Sequence, residues 1–242
     1  MSSQVVHIIG CGLAGSEAAF YLAERGIQVV IHEMRPSKMT PAHQTDRCAE
    51  LVCSNSFKSK SPVSAPGMMK AEMSQLGSLI LKSGSKAAVP GGEAMAVDRD
   101  IFSETVTHAL KAHPGIRFEP GEMAAPLDGE ITLIATGPLT SDSLSAWIAK
   151  ATGSDDLYFY DAIAPIIDAS TIDMNNAFIA NRYGKGDEDA YINCPLNEAE
   201  YNAFIDALMV AEKVAPKSFE KEKFFQQGNS CNLPVGRQVR SR

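Results

Sequence analysis

The apolar run Val5–Ile9 leads straight into Gly10-Cys11-Gly12-Leu13-Ala14-Gly15. Glycines in a G-x-G-x-x-G pattern, set between a strand and a helix, leave few folds open to the chain. The first glycine makes the tight turn, and the second lets backbone approach a pyrophosphate. The third lets the helix pack closely on the strand. The new helix then turns unpaired N–H groups and a partial positive charge toward the phosphates. The motif also needs an acid about 20 residues on, at the end of the next strand, to meet a ribose. Glu33 in "VVIHEMR" fills that place. Gly10, Cys11, Gly12, Leu13, Ala14, Gly15 and Glu33 therefore form the candidate cofactor-binding set. The small side chain of Cys11 is read as structural.

Periodicity supports an α/β chain opening as βαβ. Strands are expected at Gln4–Ile9, Gln28–His32, Ala94–Val97, Ile116–Glu119 and Ile131–Ala135. A helix is expected over Leu13–Arg25, packing through Ala14, Ala18, Phe20 and Leu22. Ala65–Leu81 reads as one helix with Met68, Met69, Met73, Leu76 and Leu79 as apolar positions. Asp100–Ala112 reads as another, packing through residues such as Ile101, Phe102 and Leu110, and Ser141–Lys150 as a third. Met34–Pro66 reads as a long polar loop, which in a compact domain is usually functional or disordered. After Gly153 short strands are expected at Leu157–Tyr160, Ala164–Ile167, Phe178–Ala180 and Ala190–Cys194. A helix then follows over Asn197–Ala211, with Asn197 and Glu200 spaced as a capping box. The reading divides the chain into a dinucleotide domain at 1–152, the start of an inserted α+β domain at 153–225, and an aperiodic tail at 226–242.

The strand "ITLI" ends in Ala135-Thr136-Gly137, which suits a second crossover returning to the sheet beside the nucleotide. That favours FAD over NAD and adds Thr136 and Gly137 to the cofactor set. No apolar run approaches the roughly 20 residues of a membrane helix. An odd number of cysteines, five, argues against a disulfide framework and for a reducing, cytoplasmic setting. The net charge of −7 hides an asymmetry, because Phe57–Gly92 holds five lysines (Lys58, Lys60, Lys70, Lys82, Lys86) and one acid, Glu72. Such a basic strip either solvates a surface or steers a polyanion.

The stretch "ELVCSNSFKSK" (50–60) carries no clear helix or strand pattern. Its thiol, Cys53, is open to three readings: an inert small residue, a metal ligand, or a reactive group facing a ligand. Cys48 lies close, with His43 and Asp46 nearby, but no second ligand pair follows at zinc spacing, so no metal site is assigned. Cys48 and Cys194 read as packing or turn residues. His7 and His32 read as core, and His43 as a lesser candidate for cofactor contact.

The strings "VIHEMRP", "TPAHQTD", "AELVCSNSFKS", "AVDRD", "IATGPLTS", "LYFYDAIAPI", "YINCP" and "FEKEKFF" closely resemble the folate- and FAD-dependent tRNA (uracil-5-)-methyltransferases, also known as the Gid proteins. The resemblance implies a Rossmann-like FAD-binding domain of the glutathione-reductase-like kind with an inserted α+β domain, truncated here at its C-terminus. It implies FAD as cofactor, 5,10-methylenetetrahydrofolate and NAD(P)H as co-substrates, and a T-loop uridine of tRNA as acceptor. It makes Cys53 a catalytic candidate as nucleophile, base or flavin-side partner, with Lys58 and Lys60 favouring its thiolate and attracting phosphate. It also implies a second cysteine where this chain has Gly228, the later thiol Cys231 standing out of register. The chain reads as the N-terminal half of such an enzyme, with an open sheet edge and exposed apolar surface. An inactive FAD-binding remnant is the alternative, and the oligomeric state stays open.

Overall fold

The computed structural model describes residues 5–153, 168–181 and 191–211. Its centre is a parallel four-stranded sheet made of β1 (Val5–Ile9), β2 (Gln28–Glu33), β6 (Ile116–Pro120) and β7 (Ile131–Ile134), in the order β6-β2-β1-β7. The β-branched runs of β1 and β2 suit a sheet buried on both faces. Ile8 and Ile31 are fully buried and Val29 nearly so. Helix α1 (Leu13–Ala23) crosses from β1 to β2 and is followed by a turn at Gly26, whose φ of 77° only glycine adopts without strain. Its buried face is Gly15, Ser16, Ala19 and Ala23. Ala14, expected in the core, is exposed, and Ala18, Phe20 and Leu22 are only half-buried. Small residues win the inner face because α1 lies so close to the sheet. His7 and His32 are core residues as expected: Nδ1 of His7 meets Nε2 of His32 at 2.9 Å across neighbouring strands.

A second layer follows. Strand β3 (Ser56–Ser59), β4 (Ala88–Val89) and β5 (Ala94–Val97) form an antiparallel sheet in the order β3-β5-β4. The supposed loop 34–66 thus contains a strand. It is short, polar and bulged, and its partner lies some 40 residues away (Ser56 opposite Ala96), so local pattern could not show it. The expected single helix 65–81 is two helices, α2 (Ala65–Gln75) and α3 (Leu79–Lys86). Gly77 (φ 83°) breaks the path, and Ser78 caps α3 through its side chain, which accepts from the Leu81 N–H. Leu79 is buried, whereas Met68, Met69 and Leu76 lie on the surface. The helix α4 (Arg99–Ala112) buries Phe102, Val106 and Leu110 but leaves Ile101 half exposed.

Helix α5 (Asp142–Thr152) follows β7 and ends at Gly153 in the left-handed region. Beyond it, β8 (Phe178–Ala180) and β9 (Tyr191–Asn193) pair antiparallel, and α6 (Glu198–Val210) carries the expected capping box at Asn197 and Glu200. The Tyr191 hydroxyl donates to the carbonyl of Gly91, 3.0 Å, tying this pair to the turn between β4 and β5. The strands expected at 157–160 and 164–167, and the segment holding Gly228 and Cys231, lie outside the described residues. Among the described residues β7 ends the sheet, with Ile131 and Leu133 exposed.

Candidate dinucleotide site

The sheet order makes β1 a switch point, since its successor β2 lies on one side and β7 on the other. Open α/β sheets bind ligands in the crevice beyond the strand ends at such a point. A cavity of about 530 Å³ lies there. It is lined by the Gly10–Ala14 turn, by Glu33 at the end of β2, and by Thr136 and Gly137 beyond β7. The structure therefore brings together every cofactor-set residue expected from the sequence except Gly15, which acts from behind.

The glycines divide the work. A Cβ on Gly15 would stand 2.0 Å from the carbonyl oxygen of Gly10, so the helix start can pack only without one. Gly10 has φ 97°, and a Cβ there would press on the backbone of Ala135 and Thr136 at 3.0 Å. Gly12 differs: nothing lies within 4 Å of where its Cβ would be. It caps α1 without any side-chain hydrogen bond, and no acid occupies the first turn. The helix start therefore presents unsatisfied N–H groups to open space, an arrangement suited to a phosphate. On the opposite wall the Thr140 hydroxyl donates to the carbonyl of Gly137, 2.7 Å, and lies 2.5 Å from the Thr136 hydroxyl, holding the turn after β7.

Glu33 is more heavily engaged than a ribose acceptor needs to be. Its Oε2 accepts from the Cys11 N–H at 2.9 Å and from Arg35 Nη2 at 3.1 Å; its Oε1 accepts from the Arg35 N–H and Nε, both at 3.0 Å. Burial would raise the carboxyl's pKa, but the Arg35 hydrogen bonds and charge outweigh that and hold it below the ordinary range. Arg35 is itself buried, and its Nη1 reaches the carbonyl of Thr45 (3.1 Å) and Glu50 Oε2 (3.3 Å). Glu50 in turn accepts from the Gln44 and Thr45 N–H groups. One buried ionic network thus fastens loop 34–50 to the glycine turn. Sequence reasoning missed Arg35 and Glu50; their signal was the acid–base alternation itself, which has no fixed spacing.

The same loop supplies His43, which lines the cavity and sits 2.6 Å from the Thr40 hydroxyl. Burial and then Arg35 lower its pKa, so the ring stays neutral near pH 7. At the cavity mouth Glu122 accepts from Lys38 Nζ (2.8 Å) and from the Ser143 hydroxyl, which bring its pKa down to about 2. Cys11 and Cys48 are buried behind the turn, and the Ala49 N–H donates to the Cys11 carbonyl, 2.8 Å. The hydrogen bond with Cys48 and burial push the Cys11 thiol well up, consistent with a structural role for Cys11.

Cys53 is exposed and does not line this cavity, although Val52, its neighbour, does. Cys194 is also exposed. Among the described residues no three His, Cys, Asp or Glu side chains are grouped as metal ligands would be, and no helix is long and apolar enough to cross a membrane.

The sequence matches the family model for glucose inhibited division protein A over residues 5–234. It is 54% identical over 224 residues to the methylenetetrahydrofolate–tRNA-(uracil-5-)-methyltransferase TrmFO of Staphylococcus saprophyticus, covering 93% of this chain and 51% of that protein. It is 55% identical over 221 residues to the TrmFO of Enterococcus faecalis, covering 91% and 50%. The chain thus spans about half the length of the curated relatives it matches. Among solved structures, the GidA-related protein from Thermus thermophilus overlaps 57% of this chain and 54% of its own at 18% identity, with a TM-score of 0.32. The family match begins at β1, includes the glycine turn and Glu33, and runs past α6: the chain belongs to the glucose inhibited division protein A family.

Proposed function

We propose that this chain carries the N-terminal, FAD-binding part of a methylenetetrahydrofolate–tRNA-(uracil-5-)-methyltransferase. The observation that supports it is the open space in front of Gly12, at an uncapped helix start facing a cavity of about 530 Å³. Two relatives above 50% identity bear that enzyme's name. Bound FAD, reduced by NAD(P)H, would carry the one-carbon unit from methylenetetrahydrofolate to C5 of a T-loop uridine. The N–H groups of Leu13 and Ala14 would hold the pyrophosphate. Glu33 would accept from a ribose hydroxyl, its charge fixing Arg35. Thr136 and Gly137 form the far wall.

Cys53, exposed one residue beyond the cavity lining, is the residue we assign to meet a macromolecular substrate. Its thiolate adds to uracil C6 to make C5 nucleophilic, or it serves as the base that removes the C5 proton. The residue division 1–152, 153–225 and 226–242 goes with this reading, as does a cytoplasmic setting.

The first test is the visible spectrum of the purified chain, with heat-released cofactor identified chromatographically. About one equivalent of FAD, lost in Gly12→Val, is the expected result. A folded but colourless chain overturns the cofactor assignment. Transfer of label from methylenetetrahydrofolate to a tRNA transcript, dependent on Cys53, tests the reaction in a full-length relative.

A further inference from the structure

The five lysines between residues 57 and 92 do not share one face. Lys82 lies 5.9 Å from the Phe20 ring, in a cleft with Glu17, Glu24 and Arg25 between α1 and α3. Lys86 ends α3. The other three converge. Lys70 Nζ donates to the carbonyls of Ser59 and Pro66, both at 3.1 Å, and Ser59 stands between Lys58 and Lys60. An ammonium has three donors, so one on Lys70 remains for another partner. Lys60 and Lys70 both line a groove of about 420 Å³ between α2, α3 and the β5–β4 pair.

Lys58 is held in an unusual way. It sits at the β3 bulge with φ 64°, a left-handed conformation in a residue that is not glycine. Its N–H is taken by the Ser56 hydroxyl, 3.2 Å, and its side chain is exposed. Such backbone costs energy and persists where surroundings impose it, often at functional sites. Among the described residues none of the three lysines pairs with a carboxylate. Burial and then the charge of Lys58 lower the pKa of Lys70. Among the described residues, like charges are therefore gathered without a carboxylate counter-ion, on a chain whose net charge is −7.

We propose that Lys60 and Lys70, in the groove between α2 and β5, together with Lys58 on the adjoining β3 bulge, seat backbone phosphates of an RNA. This rests on the reading of tRNA as substrate and names the surface that would hold it. The cluster follows Cys53 directly in the chain, so an RNA lying on it passes close to that thiol's loop.

The test compares two double variants of the whole chain, Lys58→Gln with Lys60→Gln, and Lys82→Gln with Lys86→Gln, matched in charge. All four side chains are exposed, and far-UV circular dichroism checks each fold. Binding to a labelled T-arm hairpin and to an unrelated hairpin of equal length is measured across salt. The expected result is about tenfold weaker binding for the 58/60 pair, with a salt slope shallower by roughly 1.5, and a change under about twofold for the 82/86 pair. Equal losses in both pairs, no loss in either, or no RNA binding by the parent chain overturns the proposal. Dependence on Lys58 and Lys60 that is the same for both hairpins supports the phosphate surface and counts against tRNA as the selected substrate. Flavin content tests the cofactor reading separately.

Discussion

At the β1–α1 corner the polar groups behind the glycine turn are engaged, while the N–H groups at the start of α1 stay open. Glu33 accepts four N–H groups, the Cys11 carbonyl takes the Ala49 N–H, and Gly15 leaves no room for one more carbon. Some forty residues on, the stretch from Cys53 to Lys60 runs along the outside, bulged and charged. The two regions lie within the same family match, yet one is fixed from within while the other faces outward. The corner shapes a cavity for the proposed small ligand, so its residues are constrained by one another. On the proposed reading the outer stretch meets a large partner, so its exposed side chains answer to that partner more than to the fold.

The sharpest way to break this contrast is Gly15→Ala. Its Cβ would stand 2.0 Å from a backbone oxygen, and the expected cost is about 3 kcal/mol or more, read as loss of cooperative thermal unfolding. A normal melt would show the corner to be looser than described. Next is Glu33→Gln, which leaves Arg35 buried with Glu50 as its remaining acid. A loss of about 3 kcal/mol in urea at pH 7 is expected. The pH dependence sharpens it. Because the folded Glu33 pKa is lowered, its stabilisation is complete above an unfolded value of about 4.3 and is lost as pH falls through the folded one. The gap between wild type and variant should therefore close in acid; a constant gap would remove the ion pair as its cause.

Gly12→Val tests the empty side of the same corner. Its backbone (φ −72°, ψ −168°) suits a β-branched residue and its Cβ meets nothing. The poorer N-cap costs about 1 kcal/mol while flavin is lost; retained flavin would deny that this space is the phosphate seat. Smallest of all is Cys53→Ala, expected to change stability by less than about 0.5 kcal/mol in thermal melts. A larger loss would return Cys53 to a structural role.

What could be read from the sequence follows the same division. The glycine turn, Glu33, the sheet strands and the Asn197–Glu200 cap were legible because each obeys a fixed short-range spacing. The Arg35–Glu50 link and β3 were not, since their partners are set by tertiary approach. Met68, Met69 and Leu76 misled because apolar spacing marks a helix face without saying what covers it. Ser78 signalled the start of α3, but the apolar run around Gly77 masked the break.

Strand β1 sits in the middle of its sheet, and its two neighbours arrive at very different times. Val5 pairs with Gln28, whereas Val6 on its other edge pairs with Ile131. At ribosomal speeds of about 5–20 residues per second, the roughly 125 residues between Val6 and Ile131 take on the order of 6–25 s to appear. Throughout that interval the nascent chain carries a β-branched strand with one open edge, a ready template for a wrong pairing. The wait for β7 during synthesis therefore exposes the edge of β1 to wrong pairing, and slowed translation between α4 and β7 should lower the soluble yield.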